Sequence, residues 1–215
     1  MGLPIHKLIC ASNSNRVLYD FFKTGAYDRN REFMLTSSPS MDILISSNLE
    51  RLIYHIAGDN AQKDADYMKK LSAEGRYEIS DEMRKQLADF YGNFASEEET
   101  AAAIRGLYQS TGYVIDTHTA VAASVYQKYE KDTDDDTVTV IASTASPFKF
   151  TRAVMNAIGH ADETADDFAL ADQLAQMAGL TVPDAVQSIR SAEIRHKTVC
   201  DKSEMEHAVK NFLGM

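Results

Sequence analysis

Two cysteines in 215 residues are few, and they suit a reducing compartment better than a disulfide-built fold. Cys10 sits in the apolar run Leu8-Ile9-Cys10-Ala11, which reads as a buried, reduced thiol. The ten glycines are scattered singly, so no G-x-x-G phosphate cradle is visible. No apolar run approaches the roughly 20 residues of a membrane span. The leading Met1-Gly-Leu-Pro-Ile-His-Lys7 lacks a positive region followed by an apolar one, so no secretory signal is expected and cytoplasm is the default. Positive charge is also short, with 22 Lys and Arg against 32 Asp and Glu for a net charge of −10. That balance, with a pI near 5.0, argues against a nucleic-acid or anionic-membrane partner, which needs a basic face. His6, His55, His160, His196 and His207 show no H-x-x-x-H or Cys/His spacing, so no metal site is expected.

What is present is ordinary globular material. An apolar fraction of 44% and a charged fraction of 25% over this length are enough for a sizeable core in one or two domains. His6 to Ala11 reads as a short buried strand, followed by a polar loop, Ser12 to Asn15. A helix from about Arg16 to Thr24 follows, with Val17/Phe21 and Leu18/Phe22 stacked at i,i+4 and Gly25 as its stop. Pro39 and Ser40 open a second helical run, with Met41, Ile45, Leu49, Leu52, Ile53 and Ile56 on one face and Gly58 at its end. Residues 60–95 read as a solvated helical insertion interrupted at Tyr77-Glu-Ile79. Ser96 and Glu99 form a capping-box pattern for a helix closed by Gly112. Tyr113 to Ile115 reads as a short strand, and His118 to Tyr129 as a helix. The acidic run 132–136 is a surface loop rather than a metal site, its carboxylates being adjacent instead of at ligand spacing. Further helices are expected over Pro147 to Ile158, near Asp166 to Met177, and from Pro183. A strand, His196 to Cys200, and a last helix with Ser203 and Glu206 as a capping box end the chain. Strands alternating with helices indicate an α/β fold with a mostly parallel sheet, flanking helices and a helical insertion.

The most informative stretch is Asp136 to Phe150. The β-branched run Val138 to Ile141 reads as a buried strand that enters a hydroxyl-rich turn, Ser143-Thr-Ala-Ser146, and then a helix opened by Pro147. Proline suits a first helical turn because its missing N–H has no partner there, and Ser146 suits the N-cap. A strand ending in a polar turn at a helix N-terminus is a usual ligand position in an open α/β sheet.

Four segments carry a family resemblance: Gly2 to Asn15; Ser38-Pro-Ser-Met-Asp-Ile-Leu-Ile-Ser-Ser-Asn-Leu-Glu-Arg-Leu52; Glu97 to Thr100 with Asp116-Thr-His-Thr-Ala-Val-Ala122; and Ser143-Thr-Ala-Ser-Pro-Phe-Lys-Phe150. In this order and spacing they resemble the second half of threonine synthases, pyridoxal-phosphate (PLP) enzymes of fold type II, the tryptophan-synthase-β type. Nothing answers to that family's Schiff-base lysine segment, so the chain is expected to be a C-terminal portion whose partner is the missing N-terminal half. On that resemblance, residues 1–59 begin the large PLP-fold α/β domain and 60–95 form the helical insertion. Residues 96–160 complete the domain, and 161–215 are a C-terminal helical and strand extension.

The resemblance implies conversion of O-phospho-L-homoserine and water to L-threonine and phosphate, with PLP as cofactor of the complete enzyme and the isolated portion inactive. It implies that the Thr144 hydroxyl meets the pyridine nitrogen; the alternative is that Thr144 caps the turn before Pro147. Asn13 and Asn15 either contact cofactor or substrate, or bond their own loop backbone. His118 is the catalytic candidate against a structural role, and a helix N-terminus favours its neutral form. Lys149 either meets phosphate as a point charge or snorkels from its helix. Ser146 is a substrate-side candidate that stands where many relatives have histidine and cannot replace it as an acid or base. Arg51 with Glu50 is read as an ion-pair scaffold or a substrate contact, alongside Ser47 and Asn48. Two other readings compete: a stand-alone α/β interaction module that binds a separately encoded N-terminal half, and another enzyme of the same PLP fold, such as a dehydratase or sulfhydrylase.

Overall fold

The computed structural model describes residues 3–159 and 163–215; Met1, Gly2 and His160, named above, lie outside them. It divides into two compact units, 1–181 and 182–215.

The larger unit is built on a parallel pair. Strand β1 (Leu8–Ser12) runs beside β4 (Phe90–Phe94), with Leu8 opposite Phe90 and Ser12 opposite Phe94. Helix α1 (Val17–Thr24) and helix α6 (Thr117–Thr133) both pack on this pair. Alternation along β4 sends its side chains to opposite faces. Phe90 stacks on Phe22 of α1 at 5.5 Å and Phe94 meets Tyr19 of α1 at 5.1 Å, whereas Tyr91 meets Tyr129 of α6 at 5.0 Å. The two helices therefore cover the two faces. A second pair, β2 (Ala26–Asp28) and β3 (Arg76–Glu78), is antiparallel. Tyr27 and Tyr77 stack across it at 5.4 Å.

Around that second pair lies a core of Phe21, Tyr27, Ile53, Ile56, Leu71, Tyr77 and Met83. It is closed by α2 (Leu49–Ile56), α3 (Ala61–Glu74) and α4 (Asp81–Lys85). Helix α5 (Glu97–Thr111) packs on α6 and on α7 (Thr151–Ile158), which packs in turn on α8 (Asp167–Ala178). The capping box of α5 forms as expected: Ser96 accepts from the Glu99 N–H, and Glu99 accepts from the Ser96 N–H. Glu99 also pairs with Lys128 of α6 at 2.7 Å, and Lys128 donates to the Phe94 carbonyl. One cap thus ties α5, α6 and β4 together. Burial raises the Glu99 carboxyl, but the Lys128 ammonium and the Ser96 N–H outweigh it and hold the group below its ordinary range. The smaller unit holds α9 (Asp184–Arg190) and α10 (Met205–Phe212).

The α/β class and the parallel pairing stand, with a sheet smaller than expected. Several local expectations are corrected. Residues 60–95 hold β3 and β4 as well as helices, and β4 is the partner of β1. Val138 to Ile141 is neither buried nor paired; Val138 is 93% and Val140 90% exposed. Tyr113 to Ile115 and His196 to Cys200 are not strands either. In each case β-branched or apolar side chains supply propensity, but a ladder needs a neighbouring strand, and no described strand lies alongside. Residues 39–56 are not one helix: a 3₁₀ turn, Pro39–Met41, is followed by irregular chain up to α2. The helix α10 lacks the predicted Ser203 capping box and has Glu204 at its N-cap with no side-chain cap. Cys10 is partly buried, and desolvation pushes its thiol up to about 11.

Gly92 sits in β4 where a Cβ would lie 2.8 Å from the Cβ of Phe22. Gly92→Ala should therefore cost about 1–3 kcal/mol through overpacking against α1. Urea unfolding should show a lower midpoint at an unchanged slope; an unchanged midpoint would mean that α1 shifts away freely.

Candidate functional site

A groove of about 890 Å³ opens in the larger unit between β1 with its lead-in, the start and outer face of α6, and the segment 137–145. Its shape traces to one carboxyl group. Asp116 is the N-cap of α6 and is 1% exposed. It accepts from the backbone N–H of His118 at 2.8 Å, from the N–H of Thr119 at 3.3 Å, and from the Thr119 hydroxyl. Each of those groups then reaches outward. Thr119 Oγ1 already donates to Asp116, so at 2.8 Å it must accept from the Ser143 hydroxyl, which anchors the motif turn to α6. His118 Nε2 accepts from the Ser40 N–H at 3.1 Å, which requires that this nitrogen carry no proton. The hydrogen then sits on Nδ1, 3.2 Å from Asp116 Oδ1. His118 also lies 4.7 Å from the Phe150 ring. Both ring nitrogens are engaged by the protein.

The loop that reaches Ser40 has its own polar core. Asn13 donates to Thr36 Oγ1, Ser38 Oγ and, at 2.7 Å, Asp42 Oδ1. Asn15 donates to the Met34 carbonyl and to Asp42, and accepts from the Met34 N–H. Asp42 accepts further bonds from the N–H and hydroxyl of Thr36. Buried amides with every polar atom paired fix a loop in one conformation.

On the far side, the segment 137–145 is pinned at both ends. Asp135 accepts from the Tyr129 hydroxyl, from the Thr137 hydroxyl at 2.6 Å, and from the Thr137 N–H at 3.0 Å. At the other end are the Thr119–Ser143 bond and Ser146, whose Oγ accepts from the Phe148 N–H as the N-cap of Pro147–Phe150.

Of the residues singled out in the sequence, Thr144, Lys149 and His118 come together on this groove. Among the described residues the Thr144 hydroxyl makes no hydrogen bond. Lys149 Nζ lies 5.3 Å over the Phe150 ring. Asn13, Asn15 and Ser146 stand behind the lining, holding the loop and the turn. Glu50, Arg51 and Ser47 line a separate concavity with Asp59 and Asp64, and Arg51 donates to Asn48 rather than to Glu50. Sequence reasoning missed Asp116 and Asp42 as organisers. Asp116 was legible, since an aspartate directly before Thr117-His-Thr119 is an N-cap signal; Asp42, whose partners are 6 to 29 residues away, was not.

The α/β fold of this chain is similar to parts of solved threonine synthases. The structure of threonine synthase from yeast superimposes with a TM-score of 0.79 at 28% identity, covering all of this chain and 43% of that one. A PLP-bound threonine synthase from Brucella melitensis gives 0.66 at 31% identity, covering 85% of this chain and 37% of that one. Residues 119–210 match the family described as threonine synthase, C-terminal. Over that segment the chain is similar to the C-terminal part of threonine synthases. In sequence it is 42% identical over 160 residues to human threonine synthase-like 1, covering 74% of this chain, and 34% identical over 196 residues to threonine synthase of Saccharomyces cerevisiae, covering 84%. It spans 21% and 38% of those two proteins. No described helix is long and apolar enough to cross a membrane.

The bonds from Thr137 and Tyr129 lower the Asp135 carboxyl from 3.8 to about 2. A folded-state value below the unfolded one means that its contribution is complete above pH 3.8 and is lost as pH falls toward 2. Thermal midpoints across that window should fall less steeply in Asp135→Asn than in the wild type. Equal slopes would show that the carboxylate does not pin the segment.

Proposed function

We propose that this chain forms one wall of the active site of a threonine synthase-type PLP lyase. That enzyme would convert O-phospho-L-homoserine and water to L-threonine and phosphate. The observation that carries this reading is the Thr144 hydroxyl, held on the groove by the Ser143–Thr119 bond yet unpaired among the described residues. When bound, PLP supplies the electron sink that stabilises carbanions next to its ring.

The residues present fit part of such a cofactor. A neutral hydroxyl at Thr144 can donate to a pyridine nitrogen, and Lys149 beside it can meet a phosphate as a point charge. Nothing described offers a phosphate cradle, because most of the glycines with positive φ terminate helices. The cradle and the Schiff-base lysine would come from the rest of the enzyme, and the chain alone is expected to carry no turnover. His118 was the catalytic candidate. With Nε2 accepting from Ser40 and Nδ1 facing Asp116, it acts in this reading as a positioning residue that holds the loop 36–42 against α6. Asn13 and Asn15 support the same loop, and Ser146 fixes the turn that presents Thr144.

In an enzyme completed by the remaining polypeptide, Thr144→Val removes the hydroxyl and keeps the shape. Losing this bond should lower kcat about tenfold to a hundredfold, equivalent to about 1–3 kcal/mol. The effect belongs in kcat because ring electronics matter most where carbanionic charge develops. Thr144→Ser should keep most of the activity. A folded Thr144→Val with wild-type kcat would make Thr144 a turn residue only.

A further inference from the structure

Among the described residues, one hydrogen bond joins the turn Pro39–Met41 to the start of α6: the Ser40 N–H donates to His118 Nε2 at 3.1 Å. A backbone N–H can only donate, so the bond lasts only while Nε2 offers a lone pair. Asp116 removes the freedom a histidine ring usually has. Its fully buried carboxylate lies 3.2 Å from Nδ1 and keeps the first ring hydrogen there. A second proton therefore has one place to go, Nε2, where it sets two N–H groups hydrogen to hydrogen. Rotation of the ring gives no escape, because both nitrogens of an imidazolium are donors.

The groups around the ring sharpen this asymmetry. From its own helix come Asp116 and the Thr117 hydroxyl, 3.4 Å from Nδ1. From Pro147–Phe150 come the Phe150 ring at 4.7 Å and, 5.3 Å above that ring, the Lys149 ammonium. Behind the turn, the Asp42 carboxylate is taken up by Asn13, Asn15 and Thr36, and Glu97 accepts from the Ser37 N–H at 2.9 Å. His6 and Lys7, leading into β1, line the same groove. A charged ring thus finds a carboxylate at Nδ1, while among the described residues Nε2 has only the Ser40 N–H as a hydrogen-bond partner. The arrangement differs from that of His6 and His55. Each of those faces a carboxylate, Asp135 at 3.7 Å and Asp59 at 3.3 Å, so a proton strengthens their contacts.

We infer that His118 is a proton-operated latch: the neutral ring holds the Pro39–Met41 turn against α6, and the protonated ring lets it go. Ser40 and Met41 line the groove together with His118, so release opens that wall. By linkage, the closed wall binds the proton less tightly than the open one, and falling pH shifts the population toward open. The coupling also runs backwards: a ligand that presses the turn onto α6 expels a proton. Asp116 sets the outcome because it accepts the Nδ1 hydrogen in both states and leaves Nε2 as the site that changes. The latch needs only the geometry of the wall and stands whether or not the groove holds a cofactor.

The test is nitrogen and proton NMR on the isotope-labelled 215-residue chain. At about pH 8 the neutral His118 ring should carry its hydrogen on Nδ1 and none on Nε2. As pH falls to about 5, the Ser40 amide signal should move in step with the His118 ring. Its exchange with water, corrected for the intrinsic effect of pH, should speed by about tenfold. Amides of the β2–β3 pair should not respond, which separates release of the turn from unfolding. His118→Gln offers a carbonyl oxygen near the place of Nε2 and takes up no proton. Its Ser40 amide should stay protected across the whole range. A hydrogen on Nε2 at the higher pH, a Ser40 amide that ignores the titration of the ring, or the same loss of protection in His118→Gln would each overturn the latch. The first two readings use the wild type alone and decide the matter even where the variant does not fold.

Discussion

The buried carboxyl of Asp116 is the point on which the groove depends. A carboxylate at a helix N-terminus is stabilised by the unpaired N–H groups of the first turn and by the helix dipole. Asp116 uses those groups to cap α6, and it also fixes the hydrogen on His118 and the direction of the Thr119 hydroxyl. Among the described residues, those two side chains make the side-chain links from the start of α6 to Ser40 and Ser143. The loop carrying Pro39–Met41 and the turn carrying Thr144 are thus oriented from one origin. Moving Asp116 moves both walls.

Around that origin the protein uses polar networks where a larger sheet would use strands. Asn13, Asn15, Thr36, Ser38 and Asp42 lock one loop, and Tyr129, Asp135 and Thr137 pin the start of the facing segment. Such networks define a geometry only when complete, since a half-satisfied buried amide costs more than an apolar replacement. One apolar core stands elsewhere, around Phe21, Tyr27 and Tyr77, and further fully buried side chains, among them Val121, Val125, Val154, Met155, Leu170 and Leu174, lie on α6, α7 and α8. The groove walls are therefore held by hydrogen bonds, while the elements beneath them are held by apolar packing.

The sequence made local structure legible and long-range pairing not. The Ser96–Glu99 box, the Ser146-Pro147 helix entry and the Gly25 and Gly112 helix ends are written within a few residues of where they act. The partner of β1 was hidden because β4, Phe-Tyr-Gly-Asn-Phe, lies in a stretch whose Lys, Glu and Ala content reads as helix. Val138 to Ile141 misled in the opposite direction: its residues favour a strand, and the structure leaves it outside both sheets, with Val138 and Val140 exposed. Asp42 gave no local sign, because its four donors come from Asn13, Asn15 and Thr36, the nearest of them six residues away.

The role of Asp116 is open to direct measurement. Asp116→Ala removes the cap, at a cost of about 0.5–2 kcal/mol, and leaves the His118 and Thr119 side chains without their common partner. Hydrogen exchange should then show the amides of residues 36–43 and those of Phe148 and Lys149 losing protection together, with amides around Tyr27 and Tyr77 unchanged. If only the first turn of α6 loosens while both walls keep their protection, the groove is held by other contacts and Asp116 is no more than a helix cap.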